Sequence, residues 1–245
     1  MVRIKKRFKL YITAVNRYKR SRGFGIHSPF AFTFVLRVLR EQSAYYAYTD
    51  IGERRAIAAS LAHKVEGKRP KIISMKSAKM LFRIACYFHP EVMLQIGTSY
   101  GVSTTAMLDV SSSSRLMIYK GAGAHPEVYD AVTRRYAGRI ATFPSVGEAV
   151  EAYSGECARL GVPPFVLVNA LDDDGCTEAC ASALKEMLAR GGVVVLRNLM
   201  RSPQMSRLFA DVDGGISRGM TFTNSRAAVI VGLPHLPRQR FNLWF

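Results

Sequence analysis

A glycine loop follows a short apolar run in the stretch LQIGTSYGVST, residues 94–104. The apolar run stops at the first glycine, a second glycine comes four residues later, and serines and threonines lead into apolar sequence. This order predicts a strand, a tight turn and a helix, an arrangement that brings backbone N–H groups close to a nucleotide-like ligand. The candidate cofactor contacts in this loop are Gln95, Gly97, Thr98, Ser99, Gly101 and Ser103.

Polar residues also stand directly after three other predicted strands. In parallel α/β sheets, ligands bind at the carboxyl ends of the strands, so these positions are expected to face the same crevice. The candidates are Lys120 and Gly121 after the second strand, Asn169 after the fourth, and Arg197 with Asn198 after the fifth. At the position of Lys120, an acid would usually bind a ribose.

Three consecutive acids, Asp172, Asp173 and Asp174, follow the fourth predicted strand. The family resemblance given below, whose pattern tends to have a histidine near this position, implies that Asp172 is the candidate catalytic base or reaches the cofactor. The alternative is that all three acids serve the first turn of the following helix, whose positive end favours them. They do not match a calcium loop, because the alternation of acids fails after Asp174 and no glutamate occupies the twelfth position.

Alternating strands and helices are expected to position these loops. Seven short apolar stretches predict strands, at residues 92–96, 116–120, 140–143, 165–169, 193–197, 220–223 and 227–231. Helical patterns lie between them, such as residues 176–190, which end at a helix-stopping glycine pair. The alternation predicts an α/β fold, Rossmann-like and doubly wound, with a mostly parallel seven-stranded sheet and an N-terminal helical extension. Extended chain is also expected in the last five residues, FNLWF.

The chain divides into three predicted segments: a basic amphipathic helix at 1–22, a helical extension or lid at 23–90, and an α/β domain at 91–245. Within the extension, Ser28 before Pro29 predicts a helix start, because the hydroxyl can cap free amides and proline fits the first helical position. A second helix is expected to begin at Asp50, with Glu53 completing a capping box. A third helix is expected over residues 76–89.

The chain is strongly basic, with a formal net charge of +17 over 245 residues. Residues 1–40 hold eleven Lys and Arg and no acid, so they supply +11, and the rest of the chain supplies the remaining +6. Residues 3–20 place aromatic and aliphatic side chains at helical spacing with Lys and Arg between them. This helix either docks on its own domain or, through residues 3–22, contacts nucleic-acid phosphate or an anionic membrane.

The composition favours a packed intracellular protein. Hydrophobic content of 49% argues against disorder. No apolar run approaches the roughly 18 residues of a membrane span. The basic start shows no secretory signal with a small-residue cleavage site. The expected location is the cytoplasm, with the membrane surface as a further contact, and the four cysteines fit that compartment as incidental or buried thiols.

Several motifs carry a resemblance to a known family: GIHSPFAF at 25–32, YYAY at 45–48, ERR at 53–55, LFRIACYF at 81–88, the glycine loop, and RQRFNLWF at 238–245. On these motifs the chain resembles a bacterial family of class I S-adenosylmethionine (SAM)-dependent methyltransferases, akin in fold to the catechol-type O-methyltransferases. The resemblance implies SAM as the cofactor and methyl transfer as the activity. The acceptor, a small molecule or a macromolecule, is not identified by the motifs, and a homo-oligomer is a further expectation.

The chain departs from the family pattern at four functional positions. Carboxylates of the family correspond here to Gln95, Lys120, Asn169 and Arg197. In related metal-dependent enzymes, acids at the last two positions coordinate a divalent ion, which a guanidinium would repel, so no metal is expected. Lys120 is expected to weaken binding of the cationic cofactor. At ~5 Å and an effective dielectric of ~20, two unit charges repel by roughly 3 kcal/mol.

Three functions are compatible with the sequence. The first is an active, metal-independent methyltransferase that works mainly by positioning the acceptor in line with the sulfonium. The second is a catalytically inactive binding or scaffold protein that keeps the methyltransferase fold and acts through its basic N-terminal helix. The third is a site retuned for an anionic ligand, in which Lys120 and Arg197 bind a phosphate or a carboxylate.

Overall fold

The computed structural model describes residues 13–67 and 70–245, which form an eight-stranded sheet with helices on both faces. The strands are β1 (Val92–Ile96), β2 (Arg115–Tyr119), β3 (Ile140–Phe143), β4 (Phe165–Val168), β5 (Val193–Leu196), β6 (Met220–Thr223), β7 (Ala228–Val231) and β8 (Gln239–Asn242). Their order in the sheet is β3-β2-β1-β4-β5-β7-β6-β8. β1 to β5 run parallel, β7 runs antiparallel to β5 and β6, and β8 pairs in parallel with β6.

Helices precede the sheet and connect its strands. They are α1 (13–21), α2 (Pro29–Phe34), α3 (Ala47–Glu66), α4 (Met75–Phe88), α5 (Val102–Leu108), α6 (Pro126–Thr133), α7 (Val146–Leu160), α8 (Asp174–Ala189) and α9 (Pro203–Gly215). A π-helical turn, Val35–Leu39, continues α2, and a 3-10 helix, Arg134–Arg139, follows α6. α7, α8 and α9 cover one face of the sheet, and α2, α4 and α5 lie on the other.

Strand β1 shows how the two cores are divided and where a ligand would bind. Met93 belongs to the core beneath α2 and α4, whereas Leu94 belongs to the core beneath α7 and α8. All five residues of β1 are buried, as expected for a central parallel strand covered on both faces. The strand order reverses between β1 and β4, so the connections diverge there and leave a crevice at the carboxyl ends of the strands.

The fold class predicted from the sequence is confirmed: the sheet is mostly parallel, doubly wound and preceded by helices. Three predicted strands match β1, β3 and β6; β2 is shifted by one residue at both ends, and β4, β5 and β7 differ by one residue at one end. The predicted number of seven strands is too low, because the chain after β7 adds β8 beside β6. Phe241 of β8 stacks on Phe222 of β6 with 5.2 Å between ring centroids.

The start of α2 is confirmed and the start of α3 is not. Ser28 Oγ accepts from the backbone N–H of Ala31 at 3.2 Å, and proline occupies the first turn of α2. Helix α3 begins at Ala47, three residues before the predicted start, and no side chain caps it. The predicted capping box at Asp50 is therefore wrong. Asp50 Oδ2 instead accepts from Arg135 Nη2 at 2.6 Å.

The predicted basic helix at 1–22 falls partly outside the described residues, which begin at residue 13. Residues 13–21 are helical. None of the helices in the described part of the chain is both long and apolar enough to cross a bilayer. The division into segments 1–22, 23–90 and 91–245 stays a prediction, although α2 and α4 share one hydrophobic core with the sheet.

The described part of α1 docks on the chain that follows β8. Arg17 Nη2 donates to the carbonyl oxygen of Leu243 at 3.1 Å. The backbone N–H of Trp244 donates to Ser21 Oγ at 2.6 Å, and Ser21 is buried. Of the two interpretations of the basic helix, docking on its own domain therefore holds for residues 17–21.

Candidate functional site

A cavity of about 630 Å³ opens at the carboxyl ends of β1, β4 and β5. The glycine loop after β1 forms one wall, and the segments that follow β4 and β5 form another. The turn between β6 and β7 and the chain at the start of α4 complete the lining. The sequence-predicted residues that line it are Ser99, Gly101, Ser103, Asn169, Arg197 and Asn198. The cavity therefore lies in the crevice created by the strand order.

Two glycines of the loop adopt left-handed backbone conformations, with φ of +74° at Gly97 and +81° at Gly101. A Cβ at Gly97 would lie 2.6 Å from the carbonyl oxygen of Ala170. A Cβ at Gly101 would lie 2.9 Å from Cγ2 of Thr133. Both glycines are therefore required by the path and packing of the loop itself, before any ligand is considered.

Gln95 lies beneath the loop and is fully buried. Its Nε2 donates to the carbonyl oxygen of Gly97 and to Ser103 Oγ, both at 3.2 Å. Its Oε1 accepts from Thr104 Oγ1 at 3.0 Å. Donor and acceptor of the amide are both used to hold the loop against the start of α5. Gln95 supports the wall of the cavity and is not among its lining residues.

Asn169, the first residue after β4, joins the glycine loop to the end of β5. Its Nδ2 donates to the carbonyl oxygen of Gly97 at 2.9 Å, and its Oδ1 accepts from Arg197 Nη1 at 2.8 Å. Asn198 Nδ2 donates to the carbonyl oxygen of Asn169 at 2.9 Å. A carboxylate at residue 169 would have no proton to donate to Gly97, so an amide suits this position.

Arg197 brings a half-buried positive charge to the cavity. Burial of its guanidinium, followed by the charge of nearby Arg201, lowers the pKa of Arg197 to about 10. The side chain therefore stays protonated at neutral pH. No carboxylate of the described residues forms an ion pair with it. A charge partly removed from water without a counter-charge is costly, which makes this position receptive to an anion.

Lys120 and Gly121, at the end of β2, are not among the lining residues of the cavity. Lys120 Nζ lies 3.2 Å from Asp130 Oδ1 and 4.4 Å from the centroid of the Tyr129 ring, so its charge is directed towards α6. Gly121 has a φ of +76°, and a Cβ there would lie 3.3 Å from an oxygen of Asp172. The loops after β2 and β4 therefore meet at this point.

Asp172 bridges those two loops. Its carboxylate accepts from the backbone N–H of Ala122 at 3.0 Å and from the hydroxyl of Tyr119. The second of these hydrogen bonds, with burial as the next cause, raises the pKa of Tyr119 to about 12. Asp172 thus brings a carboxylate to the end of β2, where the family resemblance expects a ribose-binding acid. Asp172 does not line the cavity, and its role as a catalytic base stays a prediction.

Asp173 and Asp174 stabilise the start of helix α8, as one of the sequence interpretations expects. Asp173 is the N-cap and accepts from the backbone N–H of Cys176 at 2.7 Å, which lowers the pKa of Asp173. Asp174 lies in the first turn. No group of three His, Cys, Asp or Glu residues within 13–67 and 70–245 is arranged to hold a metal ion.

Thr98 lies at the centre of the glycine loop and is buried. Its backbone N–H donates to the carbonyl oxygen of Lys120 at 2.9 Å, which ties the loop to β2. Its Oγ1 is buried without a hydrogen-bond partner. A buried hydroxyl without a partner is uncommon and marks a position that a ligand or water can satisfy.

Sequence reasoning missed four basic residues of the cavity: Lys71, Lys76, Arg201 and Arg226. The two lysines stand on either side of the first residue of α4, Arg201 follows β5, and Arg226 lies between β6 and β7. Because these residues come from three separate segments, no regular spacing in the sequence could have predicted that they lie together. The only available signal was the nearness of Arg201 to the strand end at Arg197.

Tyr100 is a further lining residue that sequence reasoning did not single out. Its ring stacks on His125 with 4.8 Å between centroids, and its hydroxyl donates to Glu66. Burial, followed by that hydrogen bond, raises the pKa of Tyr100 to about 12. The phenol is therefore neutral at physiological pH and serves to anchor the loop to the end of α3.

The comparisons with known proteins agree on the fold. No protein-family model matches the chain, and no curated protein matches its sequence. Among solved structures, cofactor-bound Rv0187 from MTB is 19% identical over 81% of this chain and 100% of its own, with a TM-score of 0.53. The O-methyltransferase from Bacillus cereus in complex with SAH is 16% identical over 81% of this chain and 96% of its own, with a TM-score of 0.52.

A third structure extends the same result. The O-methyltransferase TomG from Streptomyces achromogenes, involved in tomaymycin synthesis and solved with SAM, is 18% identical. The match covers 73% of this chain and 88% of that protein, with a TM-score of 0.51. The chain has an O-methyltransferase fold. At these identities the similarity extends to the arrangement of the sheet and helices, and the chemistry has to be argued from the residues of the site.

Proposed function

We propose that the protein is a SAM-dependent methyltransferase that works without a metal ion. The observation that carries the proposal is the cavity at the carboxyl ends of β1, β4 and β5, one wall of which is the glycine loop from Ser99 to Ser103. The solved proteins that share the fold include O-methyltransferases in complex with SAM and with S-adenosylhomocysteine (SAH). When bound, SAM supplies an electrophilic methyl group.

The residues of the site can bind the ribose and the carboxylate of SAM, but the cavity lining has no acid to pair with its ammonium group. The carboxylate of Asp172, beside the end of β2, can accept hydrogen bonds from a ribose diol. Thr98 Oγ1 is a buried hydroxyl that still needs a partner. Arg197 suits the carboxylate of the cofactor's amino-acid end. The ammonium group finds no Asp or Glu among the lining residues, so we expect weaker binding than in a site with an acid there.

Lys120 opposes the cofactor less than its sequence position suggests. The repulsion of roughly 3 kcal/mol assumes a separation of ~5 Å between two unit charges. The ammonium instead pairs with Asp130 at 3.2 Å and lies over the Tyr129 ring. Its charge is therefore partly neutralised and directed towards α6.

The chain's own residues act in this proposal by positioning. Arg197 donates to Asn169 Oδ1 at 2.8 Å, so a cation stands where the family resemblance expects metal-binding acids, which supports a metal-independent reaction. The lining contains no Asp, Glu or His side chain that could remove a proton from the acceptor. We therefore expect an acceptor that is already deprotonated, held in line with the methyl group by the loops around the cavity.

Calorimetric titration with SAM and SAH tests the proposal. Both ligands are expected to bind, and SAH about tenfold more tightly, because it lacks the sulfonium charge that the basic lining repels. Asp172→Asn is expected to weaken both by about tenfold, since the ribose would lose a charged acceptor. The matched control is Asp211→Asn, an exposed residue paired with Lys185. Absence of binding by either ligand at millimolar concentration would contradict the proposal.

The second candidate function is a non-catalytic binding protein that acts through the basic N-terminal helix, at an anionic membrane or on nucleic acid. It is supported by the surface around α1, where Lys19 and Arg20 are exposed beside the exposed aromatic side chains of Tyr18, Phe24 and Trp244. Cations next to exposed aromatics are typical of membrane-surface contacts. A failed SAM titration together with binding to anionic vesicles would favour this candidate.

A further inference from the structure

Five positively charged side chains line the cavity, and the lining contains no Asp or Glu side chain. They are Lys71, Lys76, Arg197, Arg201 and Arg226. We refer to this space as the basic cavity. Four of the five are exposed, and Arg197 is half-buried. Such a concentration of one sign of charge in a concave site attracts ligands of the opposite sign.

The five cations of the basic cavity differ from many other basic side chains of the protein in their lack of an ion-pair partner among the described residues. Elsewhere in the chain, basic side chains pair with acids, as Arg115 does with Glu156 at 2.6 Å and Arg238 with Asp213 at 2.7 Å. Within the described residues, no ion pair involves any of the five cations of the basic cavity. Their charges are therefore available to a ligand.

Arg197 is the best-placed of the five. Its Nη1 donates to the neutral Oδ1 of Asn169 at 2.8 Å, which fixes the guanidinium and leaves its other N–H donors for a ligand. Burial and the charge of Arg201 already lower its pKa, so an anion placed here would relieve an unfavourable environment. A planar guanidinium binds an oxyanion through two parallel hydrogen bonds.

The loops that carry the arginines are held rigidly by backbone and amide contacts. Asn198 has a left-handed φ of +59° and donates to the carbonyl oxygen of Asn169 at 2.9 Å. The backbone N–H of Leu199 donates to the carbonyl oxygen of Arg226 at 3.0 Å, which joins the segment after β5 to the β6–β7 turn. Asn224 Oδ1 accepts from the backbone N–H of Arg226 at 3.0 Å. A site built in advance loses less entropy on binding.

Apolar side chains also line the basic cavity, among polar ones such as Ser77 and Asn224. Met80 of α4, Val102 of α5 and Met200 line it. The volume of about 630 Å³ lies within the range of small-molecule sites and exceeds what a single inorganic ion would fill. Thioether side chains adapt to ligands of varied shape. The lining therefore suits a molecule with a charged group at one end and an apolar body.

From these contacts we infer that the basic cavity binds an organic oxyanion. Its phosphate or carboxylate group lies against Arg197, Arg201 and Arg226, and its apolar body lies against Met80 and Met200. The inference goes beyond methyl transfer, because the site is defined by residues outside the proposed ribose contacts and requires no cofactor. If the protein is a methyltransferase, Arg197 serves the carboxylate of SAM, and the anionic group of the acceptor lies against Arg201 and Arg226.

Calorimetry without SAM tests this inference with three probes: phenyl phosphate, benzoate and the neutral benzyl alcohol. We expect the anions to bind with a Kd of about 1 mM or tighter and the alcohol not to bind. The order of the two anions distinguishes a phosphate from a carboxylate ligand. Inorganic phosphate is expected to bind more weakly than phenyl phosphate, because it does not use the apolar side chains.

Substitutions locate the binding. Arg201→Gln and Arg226→Gln remove exposed side chains and leave the fold intact, and each is expected to weaken phenyl phosphate binding by about tenfold. Arg197→Gln is expected to weaken it at least as much. The matched control is Arg207→Gln, which removes an exposed arginine of α9 that pairs with Asp174 outside the cavity. Anion binding unchanged in the three variants, or reduced equally in the control, would overturn the inference.

The experiments can refute the proposed methyl transfer and the proposed anion binding independently of each other. Binding of the anions with no binding of SAM or SAH would support the basic cavity and refute the proposed methyl transfer. Binding of SAM and SAH with no anion binding would do the reverse. Equal binding of benzyl alcohol and benzoate would show that the cavity recognises only the apolar ring, and it too would overturn the inference.

Discussion

Two buried amides meet at one carbonyl oxygen beneath the glycine loop. Gly97 O accepts from Gln95 Nε2 at 3.2 Å and from Asn169 Nδ2 at 2.9 Å. Carboxylates at both positions would place two negative charges against this carbonyl in a buried environment, with no proton to share. The amides of Gln95 and Asn169 therefore act together, because both hold the carbonyl oxygen of Gly97.

An acid at residue 95, where the family resemblance expects one, is expected to destabilise the protein. Gln95→Glu would remove the donor to Gly97 and Ser103 and bury a carboxylate, at a cost of about 2 kcal/mol in the free energy of unfolding at neutral pH. Burial raises the pKa of the new carboxyl above the unfolded value of about 4.3. The deficit should therefore grow as pH rises from about 4 towards neutrality, where only the unfolded state ionises freely.

Urea denaturation at several pH values measures this effect. The control is Gln239→Glu, because Gln239 is exposed on β8. A Gln95→Glu variant as stable as the parent at pH 7 would show that Gln95 does not hold the loop through its amide protons. A deficit independent of pH would show that burial does not raise the pKa of the new carboxyl.

Sequence reasoning could nominate residues at this scale but could not give their roles. Ser99, Gly101 and Ser103 were found because strand, turn and helix signals are local, and the three do line the cavity. Gln95 was assigned to the same group, although burial directs its amide into the protein. The direction of a side chain depends on the residues that pack around it, and a local sequence pattern does not contain that information.

At the scale of elements, β8 is held by one buried carboxylate at the end of α9. Asp213 Oδ1 accepts from Thr221 Oγ1 at 2.6 Å and from Arg238 Nη2 at 2.7 Å. Its second oxygen lies 3.2 Å from Arg240 Nη1. One side chain therefore joins α9, β6 and β8.

Removal of that carboxylate is expected to loosen the edge of the sheet. Asp213→Ala should lower the free energy of unfolding by about 2 kcal/mol, less than for a fully buried pair because both arginines are partly exposed. Amide hydrogen exchange should accelerate in β8 more than in β1. Asp211→Ala, in the same helix but exposed, provides the control. Equal acceleration throughout the sheet would contradict a local role for Asp213.

The elements themselves were largely predictable, for physical reasons. β1, β4 and β5 are buried on both faces, so they read as uninterrupted apolar runs. Extended chain was expected over the last five residues, whereas β8 is Gln239–Asn242; its start gave no apolar signal because QRFN buries only Phe241. The start of α3 was misplaced because Tyr46 precedes it without a side-chain cap, leaving no signal at the true boundary.

At the scale of the whole molecule, the basic cavity depends on distant parts of the chain. Lys71 precedes α4, Arg197 follows β5, and Arg226 lies in the turn between β6 and β7. The net charge of +17 was visible in the sequence, but it is concentrated in residues 1–40. The sequence therefore pointed to a basic N-terminal segment. Only the assembled fold reveals a second concentration of positive charge, in the basic cavity.

The N-terminal charge is expected to control binding to anionic surfaces. Replacement of Arg3, Lys5, Lys6, Arg7 and Lys9 by Gln should abolish binding to vesicles that contain phosphatidylserine, because roughly 1 kcal/mol is lost per basic residue near the surface. Binding of the parent protein should fall with added salt. Vesicle co-sedimentation measures both effects.

A matched variant tests whether vesicle binding depends on the position of the basic residues or only on the net charge of the protein. It carries five substitutions to Gln at exposed residues of the rest of the chain: Lys64, Arg134, Arg190, Arg207 and Arg218. The same total charge is removed, and binding to the vesicles should persist. Loss of binding in both variants would attribute it to overall charge and contradict a role for the N-terminal segment.

The chain contains a single tryptophan, Trp244, and it lies where residues 13–21 meet the chain after β8. The residue is 49% exposed, and its ring packs edge-on against Tyr18 with 6.2 Å between centroids. The emission spectrum of the protein therefore comes from this junction and not from the central sheet. Without any added label, fluorescence reports whether the N-terminal helix stays docked or lifts away, while circular dichroism follows the rest of the fold.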